Sequence, residues 1–446
     1  MLKKIEEISA TRLIALSFLF VILIGTVLLT LPVSSRGWNW TSPLSALFTA
    51  TSATCVTGLA VYDTFQHWSV FGQLVILMLI QVGGLGFMTI ISLFAIFTQK
   101  RVGLHERKIL MASSGNMRIS GIIQLVKKIA LITFCCEAAG AVVLACSFVP
   151  KMGFVLGTYY SVFHSISAFC NAGFDLMGRY QSGSSLALVE QSFFLMVPIA
   201  ILIIVGGIGF QVWMDVLQNK HRVKQYSLHT KVALTSTIVL ILGGWFLYFI
   251  FEYDGHLAIL SMPEKLLSSF FMSVTTRTAG FAGFDLTELS QSGSLLTMIL
   301  MLIGGCPGST AGGMKTTTVA VMVLAVCGMS RGHSDITVFK RRLNKDLIKH
   351  AAVIVFVYLT AVLAATLAIC AVEDVSMSAV LFETCSALGT AGLSMGLSAS
   401  AGVFTKIILI VLMYGGRIGG LSLLLVFAEK KVEAPLKRPA EKIMIG

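Results

Sequence analysis

Four short segments that carry glycine at the same position are the residues of this chain best suited to bind an ion. We call them hexads 1 to 4, and they align without gaps: Thr54-Cys55-Val56-Thr57-Gly58-Leu59, Phe169-Cys170-Asn171-Ala172-Gly173-Phe174, Thr276-Arg277-Thr278-Ala279-Gly280-Phe281 and Leu388-Gly389-Thr390-Ala391-Gly392-Leu393. A glycine at the fifth position suits a backbone that turns with positive φ or approaches another segment closely. The carbonyl oxygens of such loops can replace the water shell of a cation.

An apolar segment of about 12 residues precedes each hexad, and it must position that hexad. The four segments are 42–53, 157–168, 264–275 and 376–387. A helix of this length is about 20 Å long, which is too short for a hydrocarbon layer of about 30 Å. We therefore expect re-entrant helices, which are tolerated only where their backbone is buried in protein or lines water. Four of them around one axis predict a pore, with their carbonyl ends adding partial negative charge.

The composition indicates a membrane protein with many spans. Of the 446 residues, 56% are hydrophobic and 12% are charged, whereas soluble domains carry about 25% charged residues. Apolar runs of spanning length lie at 12–33, 71–98, 125–150, 187–218, 232–252, 294–328, 349–371 and 404–428. Eight spans leave little room for a catalytic or nucleotide-binding domain, so we expect such activity to come from a partner.

A pair of glycines recurs in the second span after each hexad. The pairs are Gly83-Gly84, Gly206-Gly207, Gly304-Gly305 and Gly415-Gly416. Small residues also serve simple helix packing, and this alternative stays open for the pairs. Two patterns in a fixed order, four times over, nevertheless predict tandem duplication.

The predicted fold is an all-α membrane protein built from four M1–pore helix–M2 repeats. Each repeat has two transmembrane helices and one re-entrant pore loop, which makes eight transmembrane helices and four loops around a pseudo-fourfold pore. The expected boundaries are 1–98, 99–218, 219–330 with a broken second span, 331–428 and a cytoplasmic tail at 429–446.

The second span of the third repeat contains a polar, glycine-rich stretch from Gly304 to Thr318 that cannot remain a lipid-facing helix. A phosphate-binding loop is not expected, because Met314 interrupts the Gly-Lys-Thr pattern and no strand precedes it. We interpret the stretch as a gate below the hexads. Its gating residues are predicted to be Gly304, Gly305, Gly308, Ser309, Thr310, Gly312, Gly313 and Lys315.

Three charged residues are predicted to lie within the membrane. Arg417 follows the glycine pair of the fourth repeat, and a mid-membrane charge is a candidate functional site. We expect its guanidinium to bind the carbonyls and hydroxyls of the gate. Adjacent repeats could bring Arg277 and Glu383 together behind the hexads, since an isolated buried charge is costly and needs a partner. Whether these two residues pair stays open at this point.

The basic residues are distributed as the positive-inside rule requires. Most of the 33 lysines and arginines lie near 3–12, 100–128, 220–231, 331–349 and 430–442. Both termini are therefore expected on the cytoplasmic side of the cell membrane, and these segments should form a docking surface for a cytoplasmic partner. A dispersed net charge of +12 does not predict nucleic-acid binding.

Catalytic and metal-binding patterns are not found. The nine cysteines include no Cys-x-x-Cys pair, which argues against zinc or a disulfide framework. His164 stands alone in the second short helix, and a nucleophile needs a base within reach, so we expect no enzyme. Asp63, Asp175 and Asp285 follow the first three hexads. They are expected either to attract cations at the outer mouth or to be simply solvated.

The hexads, the stretch Gly308-Ser309-Thr310-Ala311-Gly312-Gly313-Met314-Lys315, and Gly416-Arg417-Ile418-Gly419 together resemble the Trk/Ktr/HKT superfamily of potassium transporters. The likeness covers essentially the whole chain and is strongest to the membrane subunits of bacterial Ktr systems. It implies a potassium-permeable pore in each subunit, a homodimer, and a cytoplasmic KtrA-like ring of nucleotide-binding regulatory subunits. Two positions depart from the family, which often has proline at Gly420 and a small residue without sulfur at Cys306.

By this resemblance the filter glycines are Gly58, Gly173, Gly280 and Gly392, and the residues from the first to the fifth position of each hexad form the filter. We expect potassium to bind at Val56, Asn171, Thr278 and Thr390. In plant relatives a serine at the first filter glycine is associated with sodium permeation, so Gly58 favours potassium. A sodium-coupled or sodium-permeable carrier remains the alternative, and no covalently bound cofactor is expected.

Overall fold

The computed structural model describes residues 10–86, 122–332 apart from 182, 184 and 188–191, and 336–419. Its longer helices are α1 (Ala10–Thr30), α2 (Pro43–Thr54), α3 (Val70–Leu85), α4 (Ile122–Met152), α5 (Phe154–Phe169), α6 (Phe193–Ile208), α7 (Phe210–Asn219), α8 (Leu228–Phe251), α9 (Met262–Thr275), α10 (Gln291–Leu302), α11 (Thr316–Ser330), α12 (Lys345–Cys370), α13 (Met377–Gly389) and α14 (Val403–Ile418). Single-turn and 3-10 helices span Pro32–Ser34, Thr64–His67, Met177–Arg179, Val223–Gln225, His256–Ile259, Leu286–Glu288 and Leu397–Ser400. One antiparallel hairpin joins β1 (Thr337–Val338) to β2 (Arg341–Arg342).

The helices follow one order four times. A long helix (α1, α4, α8, α12) leads to a short helix that ends at or just before a hexad (α2, α5, α9, α13), and a second helix (α3, α6, α10, α14) follows. Local signals start the short helices: Pro43 is the first residue of α2, and Ser261 with Glu264 forms a capping box on α9. Each short helix completely buries a phenylalanine ten or nine residues before its hexad glycine, namely Phe48, Phe163, Phe271 and Phe382.

Four helices in the described ranges are long and apolar enough to cross a membrane. They include Arg12–Thr30, Ile123–Met152, Leu228–Phe251 and Lys345–Cys370. Many of their large apolar side chains are exposed; Leu363, for example, retains 63% of its accessible surface. Such faces suit contact with lipid hydrocarbon.

The predicted span over 187–218 is sharply bent. Helix α6 ends at Ile208 and α7 begins at Phe210, with an angle of 93° between them. The break lies at Gly209, whose φ of 104° is unfavourable for a residue with a side chain. A Cβ at this glycine would also lie 2.8 Å from the Pro307 carbonyl oxygen.

The second break is the predicted one. Helix α10 ends at Leu302 and α11 begins at Thr316, so the polar stretch between them is not helical. Residues 87–98 and 420–428 of two other predicted spans lie outside the described residues. The same is true of Gly420 and of the basic segments at 100–121 and 430–442.

The helices close into a ring. Each second helix packs against the short helix that comes next in the chain: α3 against α5, α6 against α9, and α10 against α13. The last one, α14, packs against α2, the first short helix. This closure brings the ends of the four short helices, and hence the hexads, towards one another.

Candidate functional site

All four hexads have a left-handed backbone at the same two positions. The fifth residue has positive φ, with values of 98°, 69°, 82° and 81° at Gly58, Gly173, Gly280 and Gly392. The third residue also has positive φ, with 57°, 57°, 71° and 50° at Val56, Asn171, Thr278 and Thr390. Residues with a Cβ adopt this conformation at a cost of about 1–2 kcal/mol. Sequence reasoning missed this second left-handed position, because none of its four residues is glycine.

The four glycines form a closed ring. A Cβ on Gly58 would lie 2.6 Å from the carbonyl oxygen of Ala172, in hexad 2. The same construction leads from Gly173 to the Ala279 oxygen at 2.7 Å, and from Gly280 to the Ala391 oxygen at 2.9 Å. From Gly392 it overlaps the Thr57 oxygen in hexad 1. Each hexad therefore contacts the next through backbone atoms, and the ring has no room for a side chain at these positions.

The hexads direct their amide N–H groups back towards the short helices. The N–H of Thr57 donates to the Ser52 carbonyl, that of Ala172 to Ser167, and that of Ala391 to Ser386, each at 2.8 Å. In hexad 3, Ala279 donates to Thr275 at 2.9 Å. Because these donors are used by the helix ends, the backbone groups that remain available to an ion at these positions are acceptors. Acceptors alone suit a cation.

Buried hydroxyl groups in the hexads add further acceptors. The Oγ1 atoms of Thr57, Thr278 and Thr390 are buried and have no hydrogen-bond partner among the described residues. A buried polar atom without a partner costs about 1–3 kcal/mol. A dehydrated cation or a bound water would relieve that cost. The hexads therefore fit a cation through these side-chain oxygens as well as through their backbone.

A cavity of about 400 Å³ lies directly above the glycine ring. The four glycines form its base, and Asp63, Asp175 and Asp285 line it. Backbone N–H groups orient these carboxylates: Asp63 accepts from Phe65 at 2.9 Å, Asp175 from Met177 at 2.8 Å and Asp285 from Thr287 at 2.9 Å. The acids therefore both order the outer loops and give the cavity a negative lining.

Asp175 lies close to a second acid in this lining. Burial raises the pKa of the Asp175 carboxyl to about 6, and the charge of Asp63 raises it further, while the hydrogen bond from Met177 acts in the opposite direction. The carboxylate is therefore ionised above about pH 6 and protonated below it.

Three of the four glycine pairs pack against their own hexads. A Cβ on Gly83, Gly206 or Gly416 would overlap the carbonyl oxygen of the first hexad residue, which is Thr54, Phe169 or Leu388 respectively. In each case the helix then ends at a glycine with positive φ: Gly86, Gly209 and Gly419 have values of 82°, 104° and 91°. The pairs thus serve close packing, the alternative that the sequence left open.

The third pair differs because its helix continues as a loop. We call 303–305 and 314–316 the neck of this loop and 306–313 its tip. At the neck the Gly304 N–H donates to the Met314 carbonyl at 2.7 Å, and the Thr316 N–H donates to Gly305 at 3.1 Å. The Thr316 hydroxyl also donates to the Gly304 carbonyl at 2.6 Å. The loop therefore begins and ends at one place.

The tip lies against hexads 2 and 4. The Thr310 hydroxyl donates to the Phe169 carbonyl at 3.0 Å. A Cβ on Gly313 would lie 2.6 Å from the Gly389 carbonyl oxygen, and one on Gly312 would overlap the Thr390 hydroxyl. The Lys315 ammonium donates to the Ala311 carbonyl at 2.7 Å and so closes the tip on itself.

The tip also contacts the second helix of the second repeat. The Cys306 N–H donates to the Gly207 carbonyl at 2.9 Å, and the Phe210 N–H donates to the Gly308 carbonyl at 2.7 Å. The predicted gating residues are thus brought together beneath the hexads.

Arg417 binds this tip, as the sequence predicted. Its guanidinium donates to the carbonyl of Thr310 and, from a second nitrogen, to the carbonyls of Gly83 and Gly84. One side chain therefore ties the fourth repeat's second helix to the loop and to helix α3. Five donors in a rigid fork make arginine suited to several acceptors at once.

Arg277 and Glu383, whose pairing the sequence left open, do not pair. Glu383 accepts from the Ser394 hydroxyl at 2.9 Å and from the N–H and hydroxyl of Ser398, all in the loop after hexad 4. Arg277 instead donates to the Thr316 hydroxyl at 3.3 Å. The two side chains point to different neighbours, because short polar residues near each of them supply the partners.

Sequence reasoning also missed Glu137. This residue is 5% exposed in the middle of α4, and its carboxylate accepts from the Gln81 amide at 3.0 and 3.2 Å. The Cys170 thiol of hexad 2 lies 3.9 Å away. The available signal was a single acid within an otherwise apolar run, which marks a candidate functional position.

His164 behaves as a core residue, in keeping with its prediction. The side chain is fully buried, its Nδ1 lies 2.8 Å from the Tyr160 carbonyl oxygen, and its ring stacks on Phe148. These contacts support the second short helix.

Comparison with known proteins identifies related chains of nearly equal length. A family model described as "TrkH: Cation transport protein" matches residues 8–434. The potassium/sodium uptake protein NtpJ of Enterococcus hirae is 40% identical, over 99% of this chain and 98% of its own length. The Ktr system potassium uptake protein B of Bacillus subtilis is 39% identical, over 98% of this chain and 96% of its own.

The fold is shared with solved structures. The crystal structure of the potassium transporter TrkH from Vibrio parahaemolyticus matches with a TM-score of 0.71 at 18% identity. The match covers 92% of this chain and 84% of that chain.

Proposed function

Because the chain belongs to the TrkH family of cation transport proteins, we propose that it is the potassium-translocating subunit of a bacterial potassium uptake system. The family is one of ion transporters rather than enzymes, in line with the sequence prediction. The chain is a multi-pass membrane protein that moves ions without chemistry of its own.

The closed ring of four glycines is the observation that carries this proposal. Carbonyl oxygens around the ring would replace the hydration shell of potassium as it enters from the outer cavity. We assign the filter to the first five residues of each hexad, with potassium at Val56, Asn171, Thr278 and Thr390. The acids of the outer cavity would raise the local concentration of cations.

We further propose that the chain consists of four M1–pore helix–M2 repeats with eight transmembrane helices. The repeats would span 1–98, 99–218, 219–330 and 331–428, followed by a cytoplasmic tail. Four recurrences of the same helix order and the cyclic packing of second on short helices support this division.

The loop between α10 and α11 would act as the gate, with Arg417 as its latch. Its tip lies under hexads 2 and 4, where it would obstruct an ion leaving the filter. Arg417 and Lys315 bring positive charge to the same place, which opposes a cation.

Regulation would come from a cytoplasmic partner. The names of two relatives as Ktr system proteins and the basic character of the loops support a KtrA-like nucleotide-binding ring. A homodimer of this chain would follow from the resemblance to the Ktr systems alone. Both termini would then be cytoplasmic. The exposed hairpin with Arg341 and Arg342 is one described part of the docking face.

A sodium-coupled or sodium-permeable carrier is the second candidate, because one relative is named a potassium/sodium uptake protein. Expression in a bacterium that lacks potassium uptake, with and without a KtrA-like partner, tests both. Growth at low potassium without added sodium supports the first function, and growth that requires sodium supports the second. No rescue in cells that hold this chain in the membrane and also contain the partner would contradict both functions.

A further inference from the structure

We propose that Arg277 anchors the neck of the loop to hexad 3, so that the filter and the gate are mechanically joined at this point. The inference rests on the proposed function, since it takes the hexads as filter and the loop as gate. It assigns Arg277 as a positioning residue for ion selectivity.

The guanidinium of Arg277 forms a hydrogen bond with a residue of the neck. Its Nη2 donates to the Thr316 hydroxyl at 3.3 Å. Thr316 lies in the second segment of the neck and binds the first segment twice, through its hydroxyl to the Gly304 carbonyl and through its N–H to the Gly305 carbonyl. A movement of the neck is therefore transmitted to Arg277. This residue directly precedes Thr278, and the backbone of Thr278 is left-handed.

The cost of burying Arg277 indicates that it does more than fill space. The side chain belongs to a residue that is only 8% exposed, and its Nε has no partner among the described residues. Its bond to Thr316 is to a neutral hydroxyl, which does not compensate a buried charge. A small cavity lined by Asn171, Thr237 and Gly305 adjoins Arg277.

Arg277 and the loop belong to the same repeat. The second residues of the other hexads are Cys55, Cys170 and Gly389, which are all uncharged at neutral pH. The charge occurs in the hexad whose own second helix is broken between α10 and α11. Arg417 holds the tip, whereas Arg277 holds the neck, so the loop is attached at two places with separable roles.

The test compares two substitutions of Thr316 in the full chain, reconstituted in phosphatidylethanolamine–phosphatidylglycerol vesicles. Thr316→Val keeps the shape and removes the hydroxyl, and Thr316→Ser keeps the hydroxyl as the matched control. Potassium and sodium fluxes are measured separately. We expect Thr316→Val to lower the potassium-to-sodium flux ratio at least about threefold, since a bond to a charged donor is lost, and Thr316→Ser to retain the ratio.

Substitution of the arginine provides a second route. Arg277→Lys keeps the charge but loses the fork, and it should lower the ratio in the same direction. If the two residues act through one bond, Arg277→Lys with Thr316→Val should change the ratio no more than the larger single effect. Additive effects would overturn the anchor.

Gly58→Ser, measured in the same vesicles, separates this inference from the proposed function. If Gly58→Ser lowers the ratio while Thr316→Val and Arg277→Lys leave it unchanged, the anchor is wrong and the filter stands. Loss of flux for both ions at constant ratio in Thr316→Val would also overturn the anchor and leave a purely structural role. If all these variants keep the ratio, the filter assignment fails and the anchor fails with it.

Discussion

The four hexads resemble one another more closely than do the four helices that follow them. The hexads have left-handed residues at the third and fifth positions in all four copies. Their following helices are less uniform: α3, α6 and α14 each end at a glycine with positive φ, whereas α10 passes into the polar loop. Each hexad must fit two neighbouring hexads to close the ring, whereas the helix ends below the ring do not form such a ring with one another.

Hexad 3 keeps its contact in the ring although the short helix before it differs from the other three. The buried phenylalanine of α9 lies one residue nearer to its glycine than in the other short helices, and Ala279 bonds to Thr275 rather than one residue further back. The ring geometry is nonetheless kept, since Gly280 contacts Ala391 in hexad 4. The repeats therefore differ in the short helices behind the ring and in the segments below it, but not in the ring contact itself.

The largest expected effect comes from a ring glycine. Gly392→Ala should lower potassium uptake and its selectivity over sodium about tenfold or more, because the new Cβ overlaps the Thr57 carbonyl oxygen. Gly153→Ala is the matched control: both glycines have a φ of 81°, but nothing lies within 4 Å of a Cβ at Gly153. Equal ion selectivity in the two variants would contradict the claim that the ring glycines determine selectivity.

Removal of the latch should follow in size. Arg417→Ala breaks the bonds to the Thr310 and Gly83 carbonyls, so flux should rise severalfold and depend less on a regulatory partner. The measurement is potassium flux with and without that partner at matched protein levels. A loop shortened within 308–312 should act in the same direction. Unchanged flux in both well-expressed variants would mean that the gate lies elsewhere.

A neighbouring pair of glycines tests the packing below the ring. Gly206→Ala should destabilise the protein by about 1–3 kcal/mol, since its Cβ overlaps the Phe169 carbonyl oxygen. Gly207→Ala should have a much smaller effect, because its Cβ would lie 3.5 Å from the Asn171 amide, an ordinary contact. Thermal unfolding in detergent measures the difference. Equal unfolding temperatures would contradict the close packing of α6 on hexad 2.

The smallest effect concerns the outer cavity. With a pKa of about 6, Asp175 loses its charge as the external pH falls from 7 to 5, so uptake at low potassium should decline modestly over that range. Asp175→Asn should abolish this part of the pH dependence. Uptake by the variant that still declines to the same extent would assign the titration to another group.

Stability should change in the opposite direction with pH. Because the folded pKa of Asp175 lies above the ordinary value of 3.8, the folded state holds the proton more tightly than the unfolded chain. The stability that this proton confers is complete at low pH and is lost as the pH rises through about 6. Unfolding temperatures of the protein and of Asp175→Asn should therefore converge at low pH.

Most of the local structure was predictable from the amino-acid sequence. The four hexads, the short helices before them and the break after Leu302 follow from spacing, glycine and polarity within about 30 residues. The contact between Arg417 and the loop was also predictable, because a mid-membrane arginine requires acceptors. These features depend on neighbours in the chain or on the general cost of exposing polar groups to lipid.

Only the tertiary structure decided the remaining features, because they depend on contacts between distant segments. The left-handed Val56, Asn171, Thr278 and Thr390 carry no glycine signal, and the closed ring around them is the context in which this conformation occurs. Arg277 and Glu383 found hydroxyl partners instead of each other, and the bend at Gly209 accommodates the Pro307 carbonyl from a loop about 100 residues away. Sequence spacing determines which groups need partners, whereas the packing of the four repeats determines which partner each one meets.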